Sequence, residues 1–229
     1  ILNSSGQDSS YDEFGSINED EIHIAASRGY IQILKLFINL NPDINNIDNN
    51  GATALHHAAL LGQLESVKLL LSIPDIDPNF TGDNQQFSPL YLACRGGYHQ
   101  IVSEFFEFNK RNHVEASKNS NSNSNDDLEE TRILVDVNQA CQYGKTALFA
   151  AIESKSVKTV KALFDFEGIQ VNVKDELNGS TPLHLASELG LTSIVHILLS
   201  HAGIDPNITD DDQNTALHIA CDRGYRDIV

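Results

Sequence analysis

Histidine is the side chain best suited to moving protons or binding metal near neutral pH. This chain places four of them, His23, His56, His184 and His218, in the same position of a recurring phrase. A catalytic role would set one of them apart beside a nucleophile or an acid. None is set apart, so the recurrence argues for a structural task performed once per unit. His56 and His57 are adjacent and point in different directions on a helix, which opposes a shared metal ion. Asp210, Asp211 and Asp212 form an acidic run before Gln213 and Asn214. No Gly or Glu completes a calcium loop there, and the run reads as a solvated tip. Cys94, Cys141 and Cys221 show neither metal nor disulfide spacing. Cys94 and Cys221 take a small-residue place that Ala59 fills elsewhere and read as buried, whereas Cys141 reads as open to solvent. Thiols used in this way fit a reducing compartment. No Lys-bearing phosphate loop and no nucleophile elbow is present. Catalytic, cofactor and metal residues are therefore all read as none.

The elements that position these histidines follow from the phrase itself. It runs Thr53-Ala-Leu-His-His-Ala58, Ser88-Pro-Leu-Tyr-Leu-Ala93, Thr146-Ala-Leu-Phe-Ala-Ala151, Thr181-Pro-Leu-His-Leu-Ala186 and Thr215-Ala-Leu-His-Ile-Ala220, with a degraded copy at Asp20-Glu-Ile-His-Ile-Ala25. The leading residues are 20, 53, 88, 146, 181 and 215, so the steps are 33, 35, 58, 35 and 34 residues. A Thr or Ser before a helix caps its free N–H groups. Pro89 and Pro182 then fall at the first helical position, where a missing N–H costs nothing. Gly29, Gly62, Gly97, Gly190 and Gly224 follow nine residues after the leading residue and can take the left-handed turn that stops a helix. A second apolar stripe comes next: Ile33-Leu34-Phe37, Val67-Leu70-Leu71, Ile101-Val102-Phe105-Phe106, Val160-Leu163-Phe164 and Ile194-Val195-Leu198-Leu199. Each unit closes in an Asn-bearing turn, at Asn45, Asn79, Asn138, Asn172 and Asn207. Each unit is thus helix, turn, helix, finger.

Together these features resemble the ankyrin repeat family, whose signature is T-P-L-H-x-A. The resemblance covers residues 18–229 and implies an all-α ankyrin repeat solenoid of about six repeats, in which each unit packs on its neighbours. It divides the chain into a polar lead-in at 1–17 and repeats at about 18–50, 51–85, 86–143, 144–178, 179–212 and 213–229, the last one partial. It also implies that each phrase histidine ties the Thr hydroxyl to backbone of the neighbouring repeat, a bond Phe149 cannot make.

The long step conceals an insertion at about 110–132, read as a disordered excursion after a helix ending near Asn109. Its Asn119–Asn125 tract of alternating Asn and Ser cannot bury a core. Ser124 precedes Asp127 by three residues, the spacing acid-directed kinases favour; it is either a phosphorylation switch or a chance match in a Ser- and Asp-rich tract. Tyr11 and Phe14 in the lead-in have the character of a partial cap on the first repeat. Lys155 stands where other units have Gly. Either a non-Gly residue is held left-handed at about 1–2 kcal/mol, or the helix end is reshaped. Either way this is read as the weakest junction.

The formal net charge of −17 repels phosphate backbones and disfavours nucleic acid. It either steers a basic partner or serves solubility. No apolar run reaches membrane-spanning length and no secretory signal is present, so no membrane association is expected and a cytoplasmic or nuclear place is. The absence of Met and the stop at Val229 read as an excised piece of a longer protein.

The resemblance implies binding through finger tips and the exposed face of the first helices. Finger candidates are Asp48, Asn49, Asp83, Asn84, Gln142, Tyr143, Glu176, Leu177, Asp211 and Asp212. Helix-face candidates are Ser27 and Arg28, Leu60 and Leu61, Arg95 and Gly96, Glu153 and Ser154, Glu188 and Leu189, Asp222 and Arg223. Leu60, Leu61, Leu177 and Leu189 suggest apolar contacts, and Arg28, Arg95 and Arg223 could orient an acidic group. The functional expectation is a non-catalytic scaffold or adaptor for a protein or peptide ligand, with a basic ligand as one option. The alternative is a recruiting or autoinhibitory segment of a larger enzyme or signalling protein.

Overall fold

The computed structural model describes residues 20–40, 43–82, 86–119 and 133–229. The lead-in, Asp83, Asn84, Ser124 and most of the insertion lie outside the described residues. The described residues form eleven helices and no strand: α1 Asp20–Ser27, α2 Ile31–Leu40, α3 Ala54–Leu60, α4 Leu64–Leu70, α5 Pro89–Arg95, α6 His99–Asn119, α7 Ala147–Glu153, α8 Val157–Leu163, α9 Pro182–Glu188, α10 Thr192–Leu199 and α11 Ala216–Asp222. They alternate in two rows. The inner row α1, α3, α5, α7, α9, α11 packs each helix on the next, and the outer row α2, α4, α6, α8, α10 does the same. A single core runs the length of the stack between the rows.

Local chemistry sets each unit. The Thr53 hydroxyl accepts from the His56 N–H, and the Thr53 N–H donates to His56 Nδ1 at 3.1 Å. Thr181 with His184 and Thr215 with His218 repeat this box. The small Ala58, Ala59, Ala93 and Cys94, all at 0% exposure, let inner helices approach closely. Burial pushes the Cys94 thiol well above the usual range. Gly62 has φ +72, and a Cβ there would stand 2.8 Å from the Tyr98 ring. Gly96 has ordinary backbone, yet the same ring leaves a Cβ only 2.2 Å. One tyrosine thus explains two glycines.

Asparagines stitch the units along the outer edge. Asn45 Nδ2 donates to the Asp75 carbonyl and its Oδ1 accepts from the Asp77 N–H. Asn79 does the same with Leu134 and Asp136, Asn138 with Gly168 and Gln170, and Asn172 with Gly203 and Asp205. Each side chain satisfies one donor and one acceptor of the next unit. The ladder crosses from Asn79 to Asp136 unbroken, so the insertion leaves the stacking register intact.

Several sequence expectations need correction. The helix expected to end near Asn109 continues to Asn119, so part of the segment read as disordered is helical. It contains no Gly or Pro to stop it, and the chain that returns is pinned to it. Asn109 exchanges bonds with Val135, at 2.8 and 3.2 Å, and Asn112 donates to the Ile133 carbonyl. Cys141, read as open to solvent, is buried. Cys221 is exposed, because no later described helix covers that side of α11. Ile33 and Leu199, read as core, are exposed for the same reason at the outer limits of the stack. Lys155 is left-handed at φ 56, so the helix end is strained rather than reshaped.

Candidate functional site

The phrase histidines form one line through the stack. His23 Nε2 meets the Asn46 carbonyl, His56 Nε2 the Phe87 carbonyl and His184 Nε2 the Asn214 carbonyl, each at 3.0 Å. In His56 and His184, Nδ1 accepts a backbone N–H, so the proton belongs on Nε2 and is donated to the next unit. This fixed tautomer bridges two repeats and leaves neither nitrogen free for chemistry. Tyr91 takes the slot in the third unit, where it is 4% exposed. Burial first, then Cys141 and Glu153, pushes the Tyr91 hydroxyl above its ordinary range. Phe149 fills the slot in the fourth unit, and the Thr146 hydroxyl beside it is buried without a partner.

A second line organises the fingers. Asp48 Oδ1 accepts from the Asn50 and Ala52 N–H groups at 2.9 Å, and Oδ2 meets His57 Nε2 at 2.8 Å. Burial alone would raise this carboxyl, but the bonds from Ala52, His57 and Asn50 outweigh it and hold the group down at about 2. Asp175 accepts from Asn178 and Ser180, and Asp210 from Asn214. Cys141 holds the equivalent place, with its N–H on the Lys145 carbonyl as the Asp48 N–H is on Ala52. Asp48 and Asp210 are therefore finger-shaping groups rather than solvated tips. Adjacent fingers also join directly, through Glu176 N–H to the Tyr143 carbonyl and Asp211 N–H to the Asn178 carbonyl.

What remains for contact lies on the tips and the inner row. Asn49, Gln142, Tyr143, Glu176, Asp211 and Asp212 are exposed at the fingers, with Leu177 at 63%. On the inner row Leu60 and Leu61 are exposed at 43% and 52% and Leu189 at 36%. Arg28, Glu153, Asp222 and Arg223 are exposed, while Ser27, Ser154 and Glu188 are half-buried. The Arg95 guanidinium lies 5.6 Å from the Phe87 ring centre, and Phe87 stacks on Tyr91 at 4.6 Å. Glu153 is engaged by Lys145 and Glu188 by Arg223, both at 2.7 Å. Arg223 is thus already committed to a carboxylate of this chain. Ile24, exposed on α1, belongs to the same face and escaped the sequence reading. It shares its place in the phrase with His57 and Leu185, a register that could have found it.

The row gives an apolar stretch at Ile24, Leu60 and Leu61, a cation at Arg95, and acids from Glu153 onward. Among the described residues, no three His, Cys, Asp or Glu side chains gather to hold a metal ion. A recess of about 380 Å³ lined by Ile169, Gln170, Val171, Asn172, Val173, His201 and Gly203 contains one titratable side chain, His201. Among the described residues no helix is long and apolar enough to cross a membrane.

Comparison with known proteins agrees with this architecture. The family described as "Ankyrin repeats (3 copies)" matches residues 22–119, 75–175 and 166–229. The chain is 28% identical over 208 residues to a transient receptor potential cation channel subfamily A member 1 homolog of Caenorhabditis elegans, covering 91% of this chain and 15% of that protein. It is 24% identical over 220 residues to the E3 ubiquitin-protein ligase KEG of Arabidopsis thaliana, covering 87% of this chain and 13% of that protein. The chain therefore spans a small part of these relatives. An ankyrin repeat domain from Acinetobacter baumannii AYE superposes with a TM-score of 0.74 at 30% identity, over 92% of this chain and 95% of that one. Capped inner helices, left-handed turns, bridging histidines and the family match lead to one assignment: this chain belongs to the ankyrin repeat family.

Proposed function

We propose that the chain is a non-catalytic protein–protein interaction module, a scaffold or adaptor that binds a protein or peptide through its finger tips and the concave face of the inner helices. Ankyrin repeats generally serve as interaction modules. The observation that carries the reading is the pairing, on one face, of exposed leucines with exposed acids, while His56 and His184 are consumed in structure. Leu60, Leu61 and Ile24 supply apolar area that an occupant would remove from water. Glu176, Asp211, Asp212 and Asp222 favour Lys or Arg in that occupant, and the chain's charge of −17 would speed its approach. Nucleic acid and membrane surfaces, both anionic, are disfavoured by the same field. A cytoplasmic or nuclear setting suits free thiols.

A second reading is supported by the relatives, in which the matched segment is 15% and 13% of the protein. The array would then recruit or restrain a larger enzyme or signalling protein.

Peptide display against the immobilised chain tests the first reading. Selected sequences should combine an apolar residue with Lys or Arg, and binding should fall at least tenfold with Leu60→Asp and Leu61→Asp together. Selection of acidic sequences, or binding indifferent to both leucines, contradicts it.

A further inference from the structure

The first helix pair has an open side. In inner units, the position of Ile33 is covered by the preceding unit: Ser66 and Thr159 are 0% exposed, and Ile101 and Ile194 are 1%. Ile33 itself is 45% exposed. On the same helix, Leu36 and Leu40 are 61% and 67% exposed, whereas Phe108 and Phe166, which match Leu40, are 6% and 4%. Tyr30 shows where this side faces. Tyr98 and Tyr225 hold its place in later units and lie against Gly62 and Gly190 of the unit before. Tyr30 is 47% exposed, against 37% and 36% for Tyr98 and Tyr225, and has no such unit among the described residues.

We propose that this face is covered by the chain's own residues 1–19, with Tyr11, Phe14 and Ile17 as the covering side chains. Three observations favour this occupant. The segment joins α1 directly at Asp20. Phe14 is six residues from Asp20, a reach of about 20 Å when extended, and α2 is about 15 Å long. That reach exceeds the length of the helix that carries the face. Tyr11, Phe14 and Ile17 supply three large apolar side chains within seven residues. The charges also match. The segment carries Asp8, Asp12, Glu13 and Glu19 and no Lys or Arg, while Lys35 is the one charged residue of α2 and is exposed. Burying a terminal unit's apolar side is the requirement that capping meets in stacked repeats.

The chain contains no Trp, so Phe14→Trp creates a single reporter in residues 1–229. Its emission should be blue-shifted and independent of protein concentration. Adding Leu36→Asp should move it to the solvent-exposed position while the far-ultraviolet circular dichroism stays unchanged. Leu40→Asp should act the same way, and both sites are exposed enough to accept Asp without unfolding. In thermal melts, Phe14→Ser should lower the midpoint by a few degrees, and Leu36→Asp should add little once Phe14 is gone. Solvent-like emission that ignores both Asp substitutions would overturn the proposal. So would a blue shift that appears only at concentrations where light scattering reports a dimer, since the face would then hold a second copy.

Discussion

In the unit that begins at Thr181, His184 accepts the Thr181 N–H, bonds the Thr hydroxyl at 2.7 Å and bridges to Asn214 at 3.0 Å. In the unit that begins at Thr146, Phe149 occupies the same place, the bridge is absent and the Thr146 hydroxyl is buried without a partner. The Thr181 unit ends its inner helix with Gly190 at φ 67, the Thr146 unit with Lys155 at φ 56. The two backbones are nevertheless alike. The comparison shows that apolar stacking sets the fold, while the polar bridge adds stability at each junction without being required for its shape. Phe149 is 0% exposed, so the weaker unit replaces hydrogen bonds with buried ring area. It also gains a cap its counterparts lack. Ser156 accepts the Thr159 N–H at the start of α8, whereas Gln63 and Leu191 cap α4 and α10 with no side-chain bond. A cap of about 1 kcal/mol is of the same size as the left-handed strain at Lys155.

The largest way to break this comparison is Phe149→Ala. Losing a fully buried ring should cost about 3–5 kcal/mol in urea unfolding. His184→Ala should cost about 2–3 kcal/mol, because it strands the Thr181 N–H and the Asn214 carbonyl. Its effect should be local, with hydrogen exchange accelerating at the α9–α11 junction. The pair Lys155→Gly and Ser156→Ala should move stability in opposite directions by about 1 kcal/mol each. In the unaltered chain, exchange should be faster around Lys155 than around Gly190; equal protection would show that the cap and the ring fully compensate.

The smallest expected effect is a pH dependence at the finger acid. Asp48 is held at about 2, below its unfolded value of about 3.9. The unfolded state therefore binds its proton first as pH falls. Its contribution is complete above about pH 4 and is lost between about 4 and 2. Asp48→Asn should flatten that part of a stability-versus-pH curve and leave the region above pH 5 parallel to the original.

Much of this was legible in the residues. Thr caps, Pro at the first helical position and Gly at the stop act within a few neighbours, so periodic reading finds them. The bridging role of His56 and His184 came from the family resemblance and stands as the resemblance implied. Exposure was harder to read, because it depends on what lies beyond a unit. Cys94 and Cys221 share one place in the phrase, yet only Cys94 has a helix stacked over it. Asp48 looked like a tip residue because its backbone and His57 partners are assembled only when the finger closes. The Asn ladder escaped notice for a related reason: each Asn is an ordinary turn residue in its own unit and finds its partners some thirty to sixty positions away. The helix continuing to Asn119 was obscured by the low-complexity tract that begins there. Among the contact candidates, Leu60, Leu61 and Leu189 are exposed as their places near the helix-stopping Gly indicated, and Leu177 is exposed in its finger.

The claim that the inner row and finger tips carry binding is tested most directly by hydrogen–deuterium exchange on the chain saturated with a selected basic peptide. Slowed exchange should concentrate at 142–143, 176–178 and 211–213 and at the ends of α3, α5 and α9. Slowing confined to α2, α4, α8 and α10, with the inner row unchanged, would contradict the account.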